Sequence, residues 1–439
     1  MLNVSIAPHR EFLPADASEQ KLFVMLKLRP TKDAASIRPS TTFSFVIDTS
    51  GSMQEQISGG KTKIDVVVDS IRTLLHSGKL ESSDRVSIIQ FDDSASVVAN
   101  LTPANDITSL DQAISKLPNY SGGTRMALGM DKALSLLAQE SMTVRRNLIF
   151  TDGQTFDDDQ CRDLAAKYAS SNVPITALGV GDYDEDLLTF LSDTTGGKCF
   201  HVVPGAALGN QVAIADLPST LFNEFSQAQQ EVINNLALSV KTVKGVKLLR
   251  AARVYPTVAE FPIIQEPYHI GNAEAGDITV LILEFIIEKR DASRVRIAQL
   301  GLTYDIPGQN RRGELEPQNL VVQFVAGQDF TVQVDPEVMQ YVQQSNIMQM
   351  VNEATKIAEQ DPQRAAEILG NAKRITQRLG NADLSISLNI AEEDLRKTRR
   401  ISSDARKTIK LGARGKTVKM SGDINDELTD EEIRAASGT

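Results

Sequence analysis

The chain has 439 residues, 41% of them hydrophobic and 23% charged, with a formal net charge of −11. This length suggests about three domains, and the acidic balance argues against a general binder of nucleic acid or of anionic membrane. Trp is absent and aromatic residues are only 5%, which disfavours base stacking on single-stranded nucleic acid.

Residues 1–40 open with the alternating run Asn3-Val4-Ser5-Ile6-Ala7 and a second strand-like run, Lys21–Leu28, followed by the Pro-rich Arg29–Pro39. Two strands cannot bury a core alone, so they need partners from elsewhere in the chain. Residues 41–225 alternate strand and helix. The strand Phe43–Asp48 precedes Ile64, Val67, Val68, Ile71, Leu74 and Leu75 at helical spacing, with Gly78 as a stop signal. Arg85–Phe91 is a strand, and Asp92-Asp93-Ser94 turns the chain into an antiparallel edge at Ala95–Leu101. Helices near Ile107–Leu117 and over Met126–Ala138 lead to the buried strand Arg146–Asp152. A helix around Asp158–Ala169, the strand Pro174–Val180, the helix Glu185–Leu191, the closing strand Lys198–Val203 and the helix Leu217–Gln230 follow. The pattern predicts a Rossmann-like α/β domain, a mostly parallel sheet with helices on both faces.

Residues 226–335 carry apolar runs at Val240–Leu249, Ile278–Glu288, Arg294–Tyr304 and Leu320–Val325, separated by turn signals such as Gly271-Asn272 and Pro307-Gly308. This all-β segment is expected to pair with residues 1–40 as one β-sandwich into which the α/β domain is inserted. Residues 336–400 read as a helical unit of Val338–Glu359, Pro362–Leu379 and Asp383–Arg399. Residues 401–439 read as a charged, disordered tail. Residues 399–420 hold eight Lys or Arg against one Asp, and 421–439 hold six acids against one Arg. Cys161 and Cys199 are the only cysteines, and neither a signal-like N-terminus nor a long apolar run is present. A cytoplasmic protein with no membrane span and both thiols packed as small core residues is the expectation.

Function concentrates at the strand ends. Asp48-Thr49-Ser50-Gly51-Ser52 places one carboxylate and two hydroxyls on a tight turn at the end of the first α/β strand, where open α/β sheets hold their ligands. Tyr120-Ser121-Gly122-Gly123-Thr124 delivers a further hydroxyl just before a helix, and Asp152 ends a second strand in Phe150-Thr151-Asp152-Gly153. Carboxylates with short neutral oxygens suit a hard divalent cation.

The order and spacing of Asp48, Ser50, Ser52, Thr124 and Asp152 resemble the von Willebrand factor A domain and its metal-ion-dependent adhesion site, Asp-x-Ser-x-Ser, then Thr, then Asp. Thr194-Thr195-Gly196-Gly197 also resembles that family, and the likeness covers about residues 41–225. The resemblance implies that these five residues hold Mg²⁺, or else Mn²⁺ or Ca²⁺, with one coordination position open for the Asp or Glu of a partner protein. Two carboxylates leave a divalent ion roughly neutral and still able to accept a third. The combination with a sandwich resembles a group of prokaryotic proteins distantly similar to inter-alpha-trypsin-inhibitor heavy chains and to so-called calcium-activated chloride channels. The resemblance thus implies a bacterial, non-enzymatic adaptor or scaffold. Its partner classes would be Ser/Thr kinases, phosphatases, forkhead-associated proteins or MoxR-type AAA+ ATPases.

Other readings compete. Asp48 could be a phosphoryl-accepting nucleophile of haloacid-dehalogenase type, a metal-dependent phosphoester hydrolase, but that pattern wants an acid where Ser50 stands. A purely structural A domain with a non-functional metal site is a further alternative. Gly415-Lys416-Thr417 and Gly60-Lys61-Thr62 imitate phosphate-binding loops but have Lys410 and Glu55 where the first glycine belongs. His9, His76, His201 and His269 are scattered and read as solvated or core histidines. In the basic half of the tail, Thr408 and Thr417 sit among lysines as candidate phosphorylation sites for recognition by a phosphothreonine-binding module. The acidic half, Asp423–Glu432, could occupy the open metal position of its own or a neighbouring molecule.

Overall fold

A computed structural model describes residues 1–57, 60–140, 142–327 and 334–420. The first strands are β1 (Leu2–Pro8), β2 (Phe12–Pro14) and β3 (Glu19–Pro30). The α/β series runs β4 (Thr41–Asp48), α1 (Lys63–Leu75), β5 (Arg85–Phe91), β6 (Ala95–Pro103), α2 (Ile107–Ile114), α3 (Met126–Leu137) and β7 (Val144–Thr151). It continues with α4 (Asp158–Ser170), β8 (Ile175–Val180), α5 (Glu185–Thr195), β9 (Lys198–Val203), β10 (Gln211–Ala213) and α6 (Leu217–Gln230). Then come β11 (Glu231–Thr242), β12 (Val246–Tyr255), β13 (Ala259–Phe261), β14 (Tyr268–Glu274), β15 (Thr279–Glu288), β16 (Arg294–Ile306) and β17 (Arg311–Val325). The helices α7 (Pro336–Ile357), α8 (Pro362–Arg378), α9 (Ala382–Thr398) and α10 (Ser403–Gly412) complete the described chain.

The chain divides into two compact units, one of residues 33–234 with 305–311, the other of 1–32, 235–304 and 312–439. In the first, the sheet order is β10-β9-β8-β7-β4-β5-β6. Every pairing is parallel except that of β5 with the edge strand β6. The alternation of β4 explains its two faces. Phe43, Phe45 and Ile47 pack with Ile64, Val67 and Ile71 of α1 and with Leu221 and Phe225 of α6. Val46 packs on the opposite face, with Met126 and Met130 of α3, Tyr168 of α4 and Leu188 of α5. Helix α3 comes close because residue 129 is glycine: a Cβ there would stand 2.9 Å from Val46 Cγ1. Strand order reverses about β4, from which the chain adds β5 and β6 on one side and β7 to β10 on the other, so the carboxyl ends of β4 and β7 form a topological switch point. One expectation needs correction: β9 does not close the sheet, because the short β10 pairs beyond it.

In the second unit, β1-β3-β15-β12-β13 form one sheet. The other sheet, β14-β11-β16-β17-β2, draws on residues next to the division between the units. Strand β3 is buried on both faces: Phe23 and Met25 pack against Val338, Tyr341 and Val342 of α7, while Leu22, Val24, Leu26 and Leu28 are fully buried on the other side. The run Val240–Leu249 is not one strand. It breaks between β11 and β12 at Gly245, whose φ of +77° suits a residue without a Cβ.

The tail expectation is overturned for residues 401–420. Ser402 caps α10 by accepting a hydrogen bond from the Ala405 N–H, and Ala405, Ile409 and Ala413 join a core with Leu369 of α8 and Leu388 and Leu395 of α9. The helical unit therefore extends beyond residue 400. The charge count hid the helical spacing of Ala405, Ile409 and Ala413, a buried apolar stripe on a helix that also carries Lys and Arg. Residues 421–439, including the Asp423–Glu432 segment considered for the metal site, lie outside the described residues.

Candidate functional site

The site grows from the turn after β4. The Thr49 N–H donates to Phe91 O at 2.9 Å and the Thr49 hydroxyl to Gln90 Oε1 at 2.9 Å, so the turn is pinned to β5. The Ser50 N–H donates to Asp48 Oδ1 at 2.9 Å, a local Asx turn. Asp48 Oδ2 accepts the Thr151 hydroxyl at 2.7 Å, which ties the ends of β4 and β7 together. The Asp48 carboxyl is pushed up to about 6 by burial, opposed by its hydrogen bonds from Ser50 and Thr151 and aided by the nearby Asp152 charge.

The neighbouring loops close on this turn. Gly51 N–H donates to Gly122 O at 3.1 Å, bringing the Ser121–Thr124 loop alongside. That loop rests on Asp93, which accepts the Gly123 N–H at 2.8 Å. A Cβ at Gly122 would lie 2.9 Å from Asp93 Oδ2, so close approach rather than backbone strain favours glycine there. Thr124 is only 8% exposed. Its carbonyl accepts the Phe156 N–H at 3.0 Å and the Thr155 hydroxyl at 3.1 Å, which joins it to the loop carrying Asp152.

Of the five residues, Ser50, Ser52 and Asp152 meet side chain to side chain. Ser50 Oγ and Ser52 Oγ lie 3.1 Å apart, and the Ser52 hydroxyl donates to Asp152 Oδ1 at 2.7 Å. Asp48 joins them through Ser50 N and Thr151. Thr124 joins through its backbone and its loop. Thr408 and Thr417 stand elsewhere, and the premise that they lie on a flexible segment is corrected. The Thr408 hydroxyl, inside α10, donates to Asp404 O at 2.7 Å. That of Thr417 donates to Val254 O at 2.8 Å and Pro256 O at 3.1 Å. Both residues are under 9% exposed, which leaves neither hydroxyl presented to a kinase in this fold.

Three participants escaped the sequence reading. Thr151 was visible only as the neighbour of Asp152. Asp93 read as a turn residue. Lys63 is the third: its ammonium donates to Asp152 Oδ2 at 2.6 Å, Glu55 Oε2 at 2.7 Å and Ser52 O at 3.3 Å. Its one signal is its place at the first position of α1, just after the Thr62 cap, where a positive charge opposes the helix dipole. Among the described residues no group of three or more His, Cys, Asp and Glu is placed to hold a metal ion. The set here consists of two carboxylates and short hydroxyls.

Residues 44–212 match the family model of the von Willebrand factor type A domain. The α/β unit has the von Willebrand factor type A fold. Residues 336–419 match a second model, the Sll0103-like C-terminal alpha-helical domain, a span that includes α10. An uncharacterised protein of Synechocystis sp., sll0103, is 23% identical over 398 residues, covering 85% of this chain and 87% of that protein. Among solved structures, a von Willebrand factor type A protein from Catenulispora acidiphila superposes with a TM-score of 0.77 at 16% identity, over 95% of this chain and 97% of that one. The VWA2 paralogue of ArnB from Sulfolobus acidocaldarius gives 0.61 at 16% identity, over 94% and 98%. These likenesses establish the fold along nearly the whole chain. No helix among the described residues is long and apolar enough to cross a membrane.

Proposed function

We propose that this protein is an adaptor that captures a partner's Asp or Glu through a divalent cation, Mg²⁺ or alternatively Mn²⁺ or Ca²⁺, held by Asp48, Ser50, Ser52, Thr124 and Asp152. The observation that carries the reading is the spacing of the donor oxygens. Neighbouring ligands of an octahedral Mg²⁺, each 2.0–2.1 Å from the ion, lie about 3 Å apart. Ser50 Oγ and Ser52 Oγ at 3.1 Å, and Ser52 Oγ and Asp152 Oδ1 at 2.7 Å, fit that separation. When bound, the ion would supply an electrophilic position for an external carboxylate. The chain's own residues then have defined tasks: Thr49 and Thr151 hold the turn and Asp48 in place, and Asp93 holds the glycine loop.

An adaptor accounts for the site better than a hydrolase. Asp48 has its two oxygens engaged by the Ser50 amide and the Thr151 hydroxyl, an arrangement that holds the carboxylate rather than frees it for attack. Von Willebrand factor A domains commonly mediate protein–protein contacts, and a cytoplasmic partner of the kinase, phosphatase, forkhead-associated or MoxR-type ATPase class remains the group to test. The experiment is affinity capture from host lysate with the full chain in Mg²⁺, the full chain in EDTA, and Asp48→Ala. A partner retained only in the first supports the reading. A partner list identical in all three refutes it and leaves a structural A domain.

A further inference from the structure

Lys63 is placed against its local electrostatics. It opens α1, where the helix dipole disfavours a cation. Asp65 there is the favourable charge, completing the capping box with Thr62. The Lys63 side chain is nevertheless 14% exposed, and its three protons find three acceptors, Asp152 Oδ2, Glu55 Oε2 and Ser52 O. The Asp152 side chain is wholly buried, whereas that of Glu55 is 65% exposed. The ammonium thus bridges an inner and an outer carboxylate, and the inner one belongs to the candidate metal site.

We propose that Lys63 is a built-in competitor that sets the site's cation affinity and couples it to the arriving carboxylate. This rests on the metal reading above. With Lys63 on Asp152, a divalent cation meets a carboxylate already partly neutralised, so the bare site binds metal weakly. Glu55 supplies the alternative partner on which the ammonium rests as Asp152 turns to the ion. With the ion in place, Asp48, Asp152, Glu55, Lys63 and the ion sum to zero, whereas the same set without Lys63 would carry one negative charge. A partner's carboxylate is therefore repelled less where Lys63 stands, and metal and partner bind cooperatively, each strengthening the other by the same factor. Lys63 is a positioning and tuning residue in this scheme.

The test is titration of the full chain with Mn²⁺ by calorimetry, with and without acetate as the carboxylate probe. Lys63→Gln keeps a donor for Asp152 and removes the charge, and Lys63→Arg keeps the charge. The expectation is that Lys63→Gln binds Mn²⁺ at least about tenfold more tightly than wild type and loses most of the acetate enhancement. Lys63→Arg should stay near wild type, and Glu55→Gln should weaken Mn²⁺ binding. Thermal melts of each variant report folding independently. Equal Mn²⁺ affinity in wild type and Lys63→Gln overturns the inference and leaves the metal reading intact. Failure of both proteins to bind Mn²⁺ overturns the two together.

Discussion

His9 follows β1 and is fully buried. Its Nδ1 accepts the Phe23 N–H at 3.1 Å, its backbone N–H donates to Phe23 O at 2.8 Å, and its ring meets Phe23 edge-on at 5.4 Å. A proton on Nδ1 would break the first bond and leave a charge in an apolar surround beside Arg10. Burial first, and then the Arg10 charge, lower its pKa from 6.5 to about 3. The folded state therefore refuses a proton that the unfolded chain accepts. Stability from this group is present above pH 6.5 and is lost as pH falls toward 3. Between about pH 7 and pH 5 the linkage relation with these two pKa values gives a loss of about 2 kcal/mol. His9→Asn carries a side-chain oxygen at the same covalent distance as Nδ1, so it keeps the acceptor for Phe23 and removes the titration. Urea unfolding of wild type and His9→Asn at both pH values isolates the effect, since Asp48 and every other group titrate alike in the two proteins. Wild type should lose about 2 kcal/mol more than the variant over that interval. Parallel losses would refute the reasoning.

Further outcomes follow from single contacts. Gly129→Ala forces a methyl against Val46 and Phe91 and should destabilise the protein by about 1–3 kcal/mol in denaturant melts. Asp84, buried, accepts the Thr41 N–H and hydroxyl, the Glu81 N–H and the Arg38 guanidinium. Asp84→Ala should therefore cost about 3 kcal/mol or more, measured the same way. Thr417→Glu places a charge where a hydroxyl meets two carbonyls. It should lower Tm by several degrees, and an unchanged Tm would argue that residues 413–420 leave the fold readily. Cys161 is buried, with its thiol pushed up by burial and by Asp157. It should react with a thiol reagent only when denaturant unfolds the chain, a point that mass mapping of the labelled peptide checks.

The sequence by itself determined the α/β order, because apolar periodicity is a local property: Phe43, Phe45 and Ile47 point one way whatever lies around them, and Asp48 must then end the strand. It also placed Asp48, Ser50 and Ser52 together on one turn after that strand. Only tertiary structure decided what those side chains meet. Ser52 and Asp152 are a hundred residues apart in sequence and 2.7 Å apart in space, and nothing near Lys63 in the chain announces that its four-carbon stem reaches Asp152. The same distinction explains the tail. Net charge over residues 399–420 is a composition, and composition is blind to the phase that buries Ala405, Ile409 and Ala413 on one side of α10. Thr417 bonds to carbonyls of Val254 and Pro256 from across the chain, and such partners come into being only when the fold does.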